Sequence, residues 1–389
     1  MLPAIAQALV MAFAMLWAIL WALILGFGLS AVVQAVVSKS AIIRLLPDDS
    51  PRSVGMALGL GAASSSCSYA AVALARSLFR KGANFTAAMA FELASTNLVI
   101  ELGIILAVLM GWRFAVAEFL GAPLMVGILV LLFRAFLRPA QIEAARRQAD
   151  RGVAGSMEGH AAMDMSVAAQ GTFWKRLASP AGLTAVSHYF VMDWAAVWRD
   201  IGGGLLIAGA LAAWVPQSFW RAFFLVSHPR LAPLWGPLVG PWVAVLSFVC
   251  SIGNVPLAAV LWQGGSSFGG VIAFIYADLI IIPILNIYRK YYGARMSRFL
   301  FLTLYASMAA AAWLIELLFQ ALHLVPTVRN VHLVQDHITW NYTSVLNLIF
   351  LTLAAWLIVR FFRSGGGPML RMMGGPPPAP TAPSGHVRG

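Results

Sequence analysis

Residues 64–94 read SSSCSYAAVALARSLFRKGANFTAAMAFELA, and residues 247–277 read SFVCSIGNVPLAAVLWQGGSSFGGVIAFIYA. The two stretches align without a gap when the chain is shifted along itself so that Cys67 falls on Cys250. Twelve of the 31 aligned pairs are identical, whereas about three identities are expected by chance for so apolar a composition. The same shift aligns Leu23-Ile24-x-Gly26 with Leu206-Ile207-x-Gly209. The chain is therefore an internal duplication, which is typical of membrane transporters.

The composition places the chain in a membrane. Of its 389 residues, 61% are hydrophobic and 10% are charged, and no soluble domain buries so much apolar surface. Runs such as 4–37 and 102–133 are longer than the ~20 residues that a helix needs to cross the hydrocarbon. No charged side chain precedes Lys39, which favours a retained first span over a signal peptide. We therefore predict an all-α polytopic membrane protein.

The net charge of +12 is attributed to basic loops that face the cytoplasm and anionic lipid, not to nucleic acid binding. The expected partners are membrane lipid and a small-molecule or metalloid cargo, and the oligomeric state is left open. The sequence contains no Walker A motif, dinucleotide fingerprint or His-Glu-x-x-His motif. We therefore expect neither an enzyme nor a resident cofactor or metal.

The basic clusters constrain the topology. Apolar spans fall near residues 6–37, 84–111, 114–137, 197–225, 267–289, 298–324 and 343–363. Two further stretches, 56–80 and 241–263, are rich in Gly, Ser and Pro, and each holds one cysteine. If all basic clusters are cytoplasmic, both stretches must be re-entrant broken-helix hairpins, one entering from each side. Each repeat then has three spanning helices, so the two repeats are inverted. If each cysteine stretch is instead a full span, at least one basic cluster lies on the wrong side.

This topology divides the chain into six segments. They are the first transmembrane repeat (1–138), a cytoplasmic loop with an interfacial helix at 186–199 (139–196), the second inverted repeat (197–324), an external loop (325–342), an extra C-terminal span (343–363) and a disordered cytoplasmic tail (364–389). In the inner membrane, the N-terminus is expected outside and the C-terminus in the cytoplasm.

The two hairpin tips carry the predicted substrate-binding residues. These are Ser66, Cys67 and Ser68 in the first tip and Cys250, Ser251 and Asn254 in the second. Broken helices at membrane depth are tolerated only where they face a cavity or a substrate, and inverted symmetry brings the tips together near the midplane. Two sulfur ligands with hydroxyl groups would suit a thiophilic solute such as a trivalent metalloid or a soft metal ion. The alternative is that both cysteines are small buried hydrophobic side chains.

Acidic and polar residues follow each hairpin. The candidates for proton coupling are Glu92, Glu101 and Asp278, and those for polar contact with substrate are Ser95 and Asn97. A carboxylate in hydrocarbon costs several kcal/mol, so an acid inside a span is by default a functional hypothesis. The alternative is a structural hydrogen bond or an ion pair with an arginine. Glu118 and Glu316 are assigned a structural role, because they lie nearer the ends of their spans or lack polar neighbours in the sequence.

Several motifs resemble a known family. Ser65-Ser66-Cys67-Ser68 with Arg80-Lys81-Gly82-Ala83, and Cys250-Ser251 with Pro256-Leu257-Ala258 and Gly264-Gly265, resemble the predicted-permease family that includes the organoarsenical (ArsP-type) efflux permeases. The resemblance covers residues 20–111 and 198–293. It implies an inner-membrane permease, with trivalent organoarsenicals as the characterised type of cargo. The first hairpin departs from the Cys-x-Cys or Pro-rich form of many members, and Leu93–Asn97 replaces a Gly/Pro-containing stretch.

The leading hypothesis is a secondary transporter that exports a small, thiophilic solute by alternating access, with a proton as the coupling ion. A channel or facilitator with the same fold is the first alternative. A membrane thiol oxidoreductase that uses Cys67 and Cys250 is the second, although the sequence contains no Cys-x-x-Cys motif.

Overall fold

A computed structural model describes residues 2–36, 46–64, 68–80, 82–150, 167, 173–247, 251–329 and 342–372. Within these ranges the chain forms helices joined by turns and short loops, without a β-strand. The predicted all-α class is therefore confirmed.

The helices of the first half precede the long polar loop. They are α1 (Leu2–Val36), α2 (Pro51–Ser64), α3 (Ser68–Arg80), α4 (Phe85–Asn97), α5 (Ile100–Leu109), α6 (Trp112–Phe136) and α7 (Pro139–Ala149). The remaining helices are α8 (Phe173–Ala178), α9 (Pro180–Trp214), α10 (Gln217–Phe223), α11 (Ala232–Ser247), α12 (Ser251–Gly264), α13 (Phe268–Tyr276), α14 (Ile282–Tyr292), α15 (Ala294–Ala321), α16 (Tyr342–Arg363) and α17 (Gly367–Met372). A 3-10 turn, Ala277–Leu279, joins α13 to the loop before α14.

Several helices are long and apolar enough to cross a bilayer. Among the described residues these are Ala4–Val32, Phe85–Leu109, Trp112–Phe136, Ala294–Ala321 and Thr343–Arg363. A sixth span is formed if the bent pair Phe268–Leu279 and Ile282–Tyr292, whose axes differ by 40°, is counted as one. The chain is thus a multi-pass membrane protein, as its composition predicts.

The long helices α1 and α9 pack against each other in antiparallel directions. At one end the Trp214 indole N–H donates to the Ala4 carbonyl at 3.0 Å. At the other end the Gln34 amide donates to the Asp193 carboxylate at 2.8 Å. Between them, a Cβ on Gly209 would lie 2.5 Å from the Ala8 carbonyl oxygen, so only glycine permits this approach.

A second antiparallel pair, α6 and α15, connects the two halves. Near the start of α6, the Phe114 ring lies 4.8 Å from Phe268, which in turn lies 4.9 Å from Phe319 at the end of α15. Near the end of α6, the Phe133 ring lies 5.5 Å from Phe299 at the start of α15. Aromatic stacks of this kind bury large apolar area in a defined geometry.

The short helices α2 and α3 begin and end close together. The Asn84 backbone amide, just after α3, donates to the Leu46 carbonyl, just before α2, at 3.0 Å. The equivalent pair α11 and α12 behaves in the same way, because a Cβ on Gly236 near the start of α11 would lie 2.1 Å from the Ser267 hydroxyl oxygen just after α12. The two ends of each pair are therefore close together.

The turns after α3 and α12 have the same backbone structure. Gly82 and Gly265 adopt φ values of 107° and 109°, which favour glycine. The amides that follow, of Ala83 and Ser266, donate to the carbonyls of Leu78 and Leu261 at 3.1 Å and 3.0 Å. This is the pattern of a Schellman helix end, and it occurs at positions related by the shift that aligns the two cysteines.

Each half also contains an interrupted helix. Leu98 and Val99 separate α4 from α5, while the 3-10 turn with Ile280 and Ile281 separates α13 from α14. Pro283 in the first turn of α14 occupies a position where its missing N–H costs no helical hydrogen bond. The two breaks fall near equivalent positions of the duplication.

The extra span α16 packs against α1, and a buried asparagine lies in this contact. The Asn347 side chain accepts from the Trp21 amide at 2.8 Å and donates to the Trp17 carbonyl at 2.7 Å. These two backbone groups are one helical turn apart, so Asn347 bridges a turn of α1 and satisfies its own amide inside the membrane.

One long helix differs from the sequence-based prediction. α9 is continuous, so the predicted interfacial helix at 186–199 is the first part of α9 and not a separate element. Ser179 caps α9 by accepting from the Gly182 amide at 2.9 Å, and the next proline after Pro180 is Pro216, beyond the helix end. The apolar part, Ile201–Trp214, is shorter than the predicted span at 197–225.

The other segments differ less. The polar loop contains α7 and α8, and α17 lies within the tail that was expected to be disordered. Residues 373–389 of that tail and 330–341 of the predicted external loop lie outside the described residues.

Two glycines of α2 make a matched test of the packing. A Cβ on Gly61 would lie 2.5 Å from the Phe91 carbonyl oxygen of α4, whereas a Cβ on Gly59 would meet nothing within 4 Å. Gly61→Ala is expected to lower stability by about 1 to 3 kcal/mol through overpacking. Gly59→Ala is expected to raise it by up to about 1 kcal/mol through helix propensity. Thermal unfolding in detergent measures both, and a Gly61→Ala variant as stable as Gly59→Ala would contradict this packing.

Candidate functional site at the helix breaks

Asp278 lies at the centre of the candidate site. It occupies the 3-10 turn after α13, and its side chain is fully buried. One carboxylate oxygen accepts a hydrogen bond from the Ser68 hydroxyl at 2.7 Å, while the other has no hydrogen-bond partner among the described residues. Ser68 is the first residue of α3, so this bond joins the first short helix pair to the break of the second half.

The break of the first half faces the same carboxylate. The side chains of Thr96 and Asn97, at the end of α4, lie close enough to the Asp278 carboxyl group to interact with it electrostatically. The Asn97 amide donates to the Leu93 carbonyl at 3.1 Å and to the Thr96 hydroxyl at 3.0 Å. Its carbonyl oxygen has no partner among the described residues. The two breaks therefore meet around one buried carboxylate.

Glu92 lies one turn earlier on α4 and is also buried. One of its oxygens accepts a hydrogen bond from the Tyr288 hydroxyl of α14, and the other has no partner within the described part of the chain. Glu92 is close enough to Asp278 for the two carboxyl groups to interact electrostatically. Two buried acids that interact cannot both be ionised without a large cost in free energy. This arrangement therefore favours a bound proton or a bound cation.

Two further predicted residues lie on α4 and α12. The Ser95 hydroxyl donates to the Glu92 carbonyl at 2.8 Å, a bond within α4 that a structural role also explains. Asn254 of α12 is fully buried, and neither its amide nitrogen nor its amide oxygen has a partner in the described ranges. α12 packs against the 3-10 turn and against α5. A buried amide without partners is costly, so Asn254 stays a candidate for contact with a solute.

Glu101 belongs to a different place. It lies on α5 against Gly26 of α1, where a glycine Cβ would be 2.1 Å from the Glu101 Cβ. Its carboxyl group interacts with Asp193 of α9, which also accepts from Gln34. The structure therefore brings Glu92 and Asn97 together with Asp278 and places Glu101 beside α1 and α9, while the Ser95 hydroxyl bonds within α4.

Both predicted thiol ligands lie outside the described residues. Ser66, Cys67 and Cys250 lie outside the described residues, and so does the side chain of Ser251. Ser68 and Asn254, one from each predicted hairpin tip, are described and buried.

Glu118, to which the sequence analysis assigned a structural role, also lies near Asp278. Glu118 of α6 is fully buried, and neither carboxylate oxygen has a partner among the described residues. Its carboxyl group is close enough to Asp278 for an electrostatic interaction, and the Tyr276 hydroxyl lies beside it, donating to the Ala117 carbonyl at 3.4 Å. The rule for acids inside spans would have selected Glu118, but its polar neighbours come from the other half of the duplication and are distant in the sequence.

Comparisons with known proteins agree on one family. The family described as "Predicted permease" matches residues 4–317. A Mycobacterium tuberculosis protein named "Putative permease Rv2963" is 66% identical over 345 residues, which cover 89% of this chain and 85% of that protein. No solved structure matches the chain significantly.

The hydrogen bond between Ser68 and Asp278 can be measured by a double-mutant cycle. Ser68→Ala and Asp278→Asn are each expected to change stability, and the two changes are expected to be non-additive by about 1 to 3 kcal/mol because the groups are in contact. Unfolding of the two single variants and the double variant in detergent gives this coupling. Ser68→Ala with Glu143→Gln, an exposed acid on α7, is the control pair and is expected to be additive. Additivity of Ser68→Ala and Asp278→Asn would contradict the contact.

Proposed function

Because the chain belongs to the predicted permease family, we propose that it is a secondary transporter that moves a small solute across the inner membrane by alternating access. The observation that carries the proposal is the meeting of two helix breaks around buried Asp278. Irregular backbone at membrane depth is tolerated where it lines a site for a solute or an ion, and transporters use such discontinuous helices at the midplane.

The two halves are proposed to be inverted repeats. The equivalent helices α1 and α9 run antiparallel, as the contacts Ala4–Trp214 and Gln34–Asp193 require. The equivalent helices α6 and α15 are also antiparallel, as their aromatic contacts at both ends require. A two-fold rotation that exchanges antiparallel spanning helices must have its axis in the membrane plane. This is the symmetry of inverted-repeat transporters.

The pairs α2–α3 and α11–α12 are proposed to be re-entrant hairpins. Each member has 13 to 16 residues, which is shorter than the ~20 residues of a span. The contacts of Leu46 with Asn84 and of Gly236 with Ser267 bring the two ends of each pair together. The midpoint of each pair then lies inside the bilayer, at the level of Ser68 in the first pair.

Asp278 and Glu92 are the proposed proton carriers. Both are buried, each has one oxygen without a partner among the described residues, and they interact with each other. Loss of a proton leaves a charge that the interior stabilises poorly, so proton release is favoured only when the site opens to water. This requirement couples the protonation state to the direction in which the site opens.

The cargo is proposed to be a thiophilic species such as a trivalent organoarsenical or a related metalloid, exported from the cell. Cys67 and Cys250 hold equivalent positions in the two copies, and Cys67 is next to Ser68, which contacts Asp278. Thiolates bind soft ions and trivalent metalloids more tightly than oxygen ligands do. The site would then pair sulfur ligands for the cargo with carboxyl groups for the proton.

Flux into proteoliposomes tests the proposal. Purified protein is expected to move methylarsonous acid in the presence of a proton gradient, and an ionophore that collapses the gradient is expected to abolish this movement. Asp278→Asn, which cannot exchange a proton, is expected to lower gradient-driven flux about tenfold or more, equivalent to about 1.4 kcal/mol. Glu143→Gln, on the exposed surface of α7, is expected to leave the flux unchanged.

Two outcomes would change the proposal. Flux that is equal with and without the gradient and unaffected by Asp278→Asn would indicate a channel or facilitator. If Cys67→Ser with Cys250→Ser retains full flux and the same preference among methylarsonous acid, arsenite and antimonite, the cysteines are not ligands of the cargo.

A further inference from the structure

Two arginines make the same set of contacts at opposite ends of the molecule. The Arg146 guanidinium, on α7, lies 4.1 Å from the centre of the Phe79 ring. It donates to the Phe79 carbonyl at 2.7 Å and to the Ala83 carbonyl at 3.5 Å. These contacts, named here the first clasp, hold α7 against the C-terminal end of α3 and the turn that follows it.

The second half contains the same arrangement. The Arg329 guanidinium, in the segment after α15, lies 4.3 Å from the centre of the Trp262 ring. It donates to the Trp262 carbonyl at 2.9 Å and to the Ser266 carbonyl at 2.8 Å. These contacts, named the second clasp, hold the segment after α15 against the C-terminal end of α12 and the turn that follows it.

The two clasps are equivalent positions of the duplication. The shift that aligns the two cysteines also aligns the first clasp with the second. It places Arg146, Phe79 and Ala83 on Arg329, Trp262 and Ser266, respectively. Both arginines lie beyond the stretches in which the sequence repeat is visible, and Arg329 is on a loop whereas Arg146 is on a helix. The feature that the two halves share is therefore the contact and not the local structure that carries it.

The clasps lie at opposite ends of α6. Phe79 of the first clasp is 5.0 Å from Phe85, which stacks at 6.0 Å on Phe133 near the end of α6. Trp262 of the second clasp is 5.2 Å from Phe114 near the start of α6. At about 1.5 Å per residue, Phe114 and Phe133 are separated by about 28 Å along the helix axis. This is close to the thickness of the hydrocarbon core.

Each clasp stabilises a helix end in three ways. The cation lies at the negative end of the helix dipole, and it stacks on an aromatic face. It also donates to carbonyl groups at the helix end, where the Phe79 and Trp262 carbonyls accept the turn amides of Gly82 and Gly265 as well. A lysine lacks the planar guanidinium group that lies over the ring while its N–H groups donate to two carbonyls. Both clasps are formed in this structure. The ends of α3 and α12 are therefore each in contact with the segment that carries the arginine.

We propose that Arg146 and Arg329 are matched positioning residues, and that opening of the transporter to either side breaks the clasp on that side only. This inference rests on the proposed alternating-access function. By the symmetry of the two contacts, weakening one clasp favours the state that is open at its own end and closed at the other. Weakening both restores the balance between the two states.

Hydrogen exchange of the full chain in lipid nanodiscs tests this without any cargo. The reporters are the turn amides of Gly82 and Ala83 at one end and of Gly265 and Ser266 at the other, all of which are hydrogen-bonded. Arg146→Lys is expected to raise exchange at the first end by about 5- to 30-fold, the change in an equilibrium that one or two kcal/mol produces. The same variant is expected to slow exchange at the second end. Arg329→Lys is expected to do the reverse, and the double variant to return the ratio of the two rates to the wild-type value.

Exposed arginines provide matched controls. Arg147 lies next to Arg146 on α7, and Arg230 lies on the loop before α11. Arg147→Lys and Arg230→Lys are expected to leave both ends unchanged. If each clasp variant speeds exchange at its own end and leaves the opposite end at the wild-type rate, the arginines are local helix caps and the proposal is overturned. That failure is distinct from failure of the transport proposal, which is measured by flux in vesicles.

Discussion

A helix that breaks inside a bilayer frees backbone N–H and C=O groups that lipid cannot satisfy. This protein contains such a break in each half, after Asn97 and around Asp278. The two breaks are packed in the interior, where Thr96, Asn97 and Ser68 approach the Asp278 carboxyl group. Each break therefore supplies polar partners to the other. Because each break needs polar partners from the other, the two halves must meet where the helices break. Small residues such as Gly61 allow the short helices to approach the broken ones closely.

The sequence predicted the features that depend on composition and on repetition. Hydropathy was sufficient for the all-α membrane class, and the alignment of Cys67 with Cys250 was sufficient for the duplication. Burial of Glu92 and Asp278 follows from their position in apolar runs, since lipid-embedded acids must face the protein interior. The membership of the predicted permease family, which the hairpin motifs indicated, is confirmed by the comparisons.

The features that the sequence did not predict are contacts between distant segments. Tyr288 donates to Glu92 across 196 positions, and Glu118 acquires its polar neighbours from α13. Helical periodicity gives the face of a helix but not the partner that covers it. The continuity of α9 was also missed, because the four aromatic residues and Asp193 within residues 186–199 suggested a helix at the membrane interface. In the structure Asp193 is paired with Gln34 of α1, so its charge does not require a water-exposed position.

The central claim is that the two halves enter the membrane in opposite orientations. Single cysteines at Arg80, at the end of α3, and at Arg230, before α11, test it in a Cys67→Ser, Cys250→Ser background. Both positions are exposed. Sealed, oriented vesicles are treated with a membrane-impermeant maleimide from outside, before and after they are opened. The account predicts that one position reacts before opening and the other only after it. Reaction of both positions from the same side would contradict it.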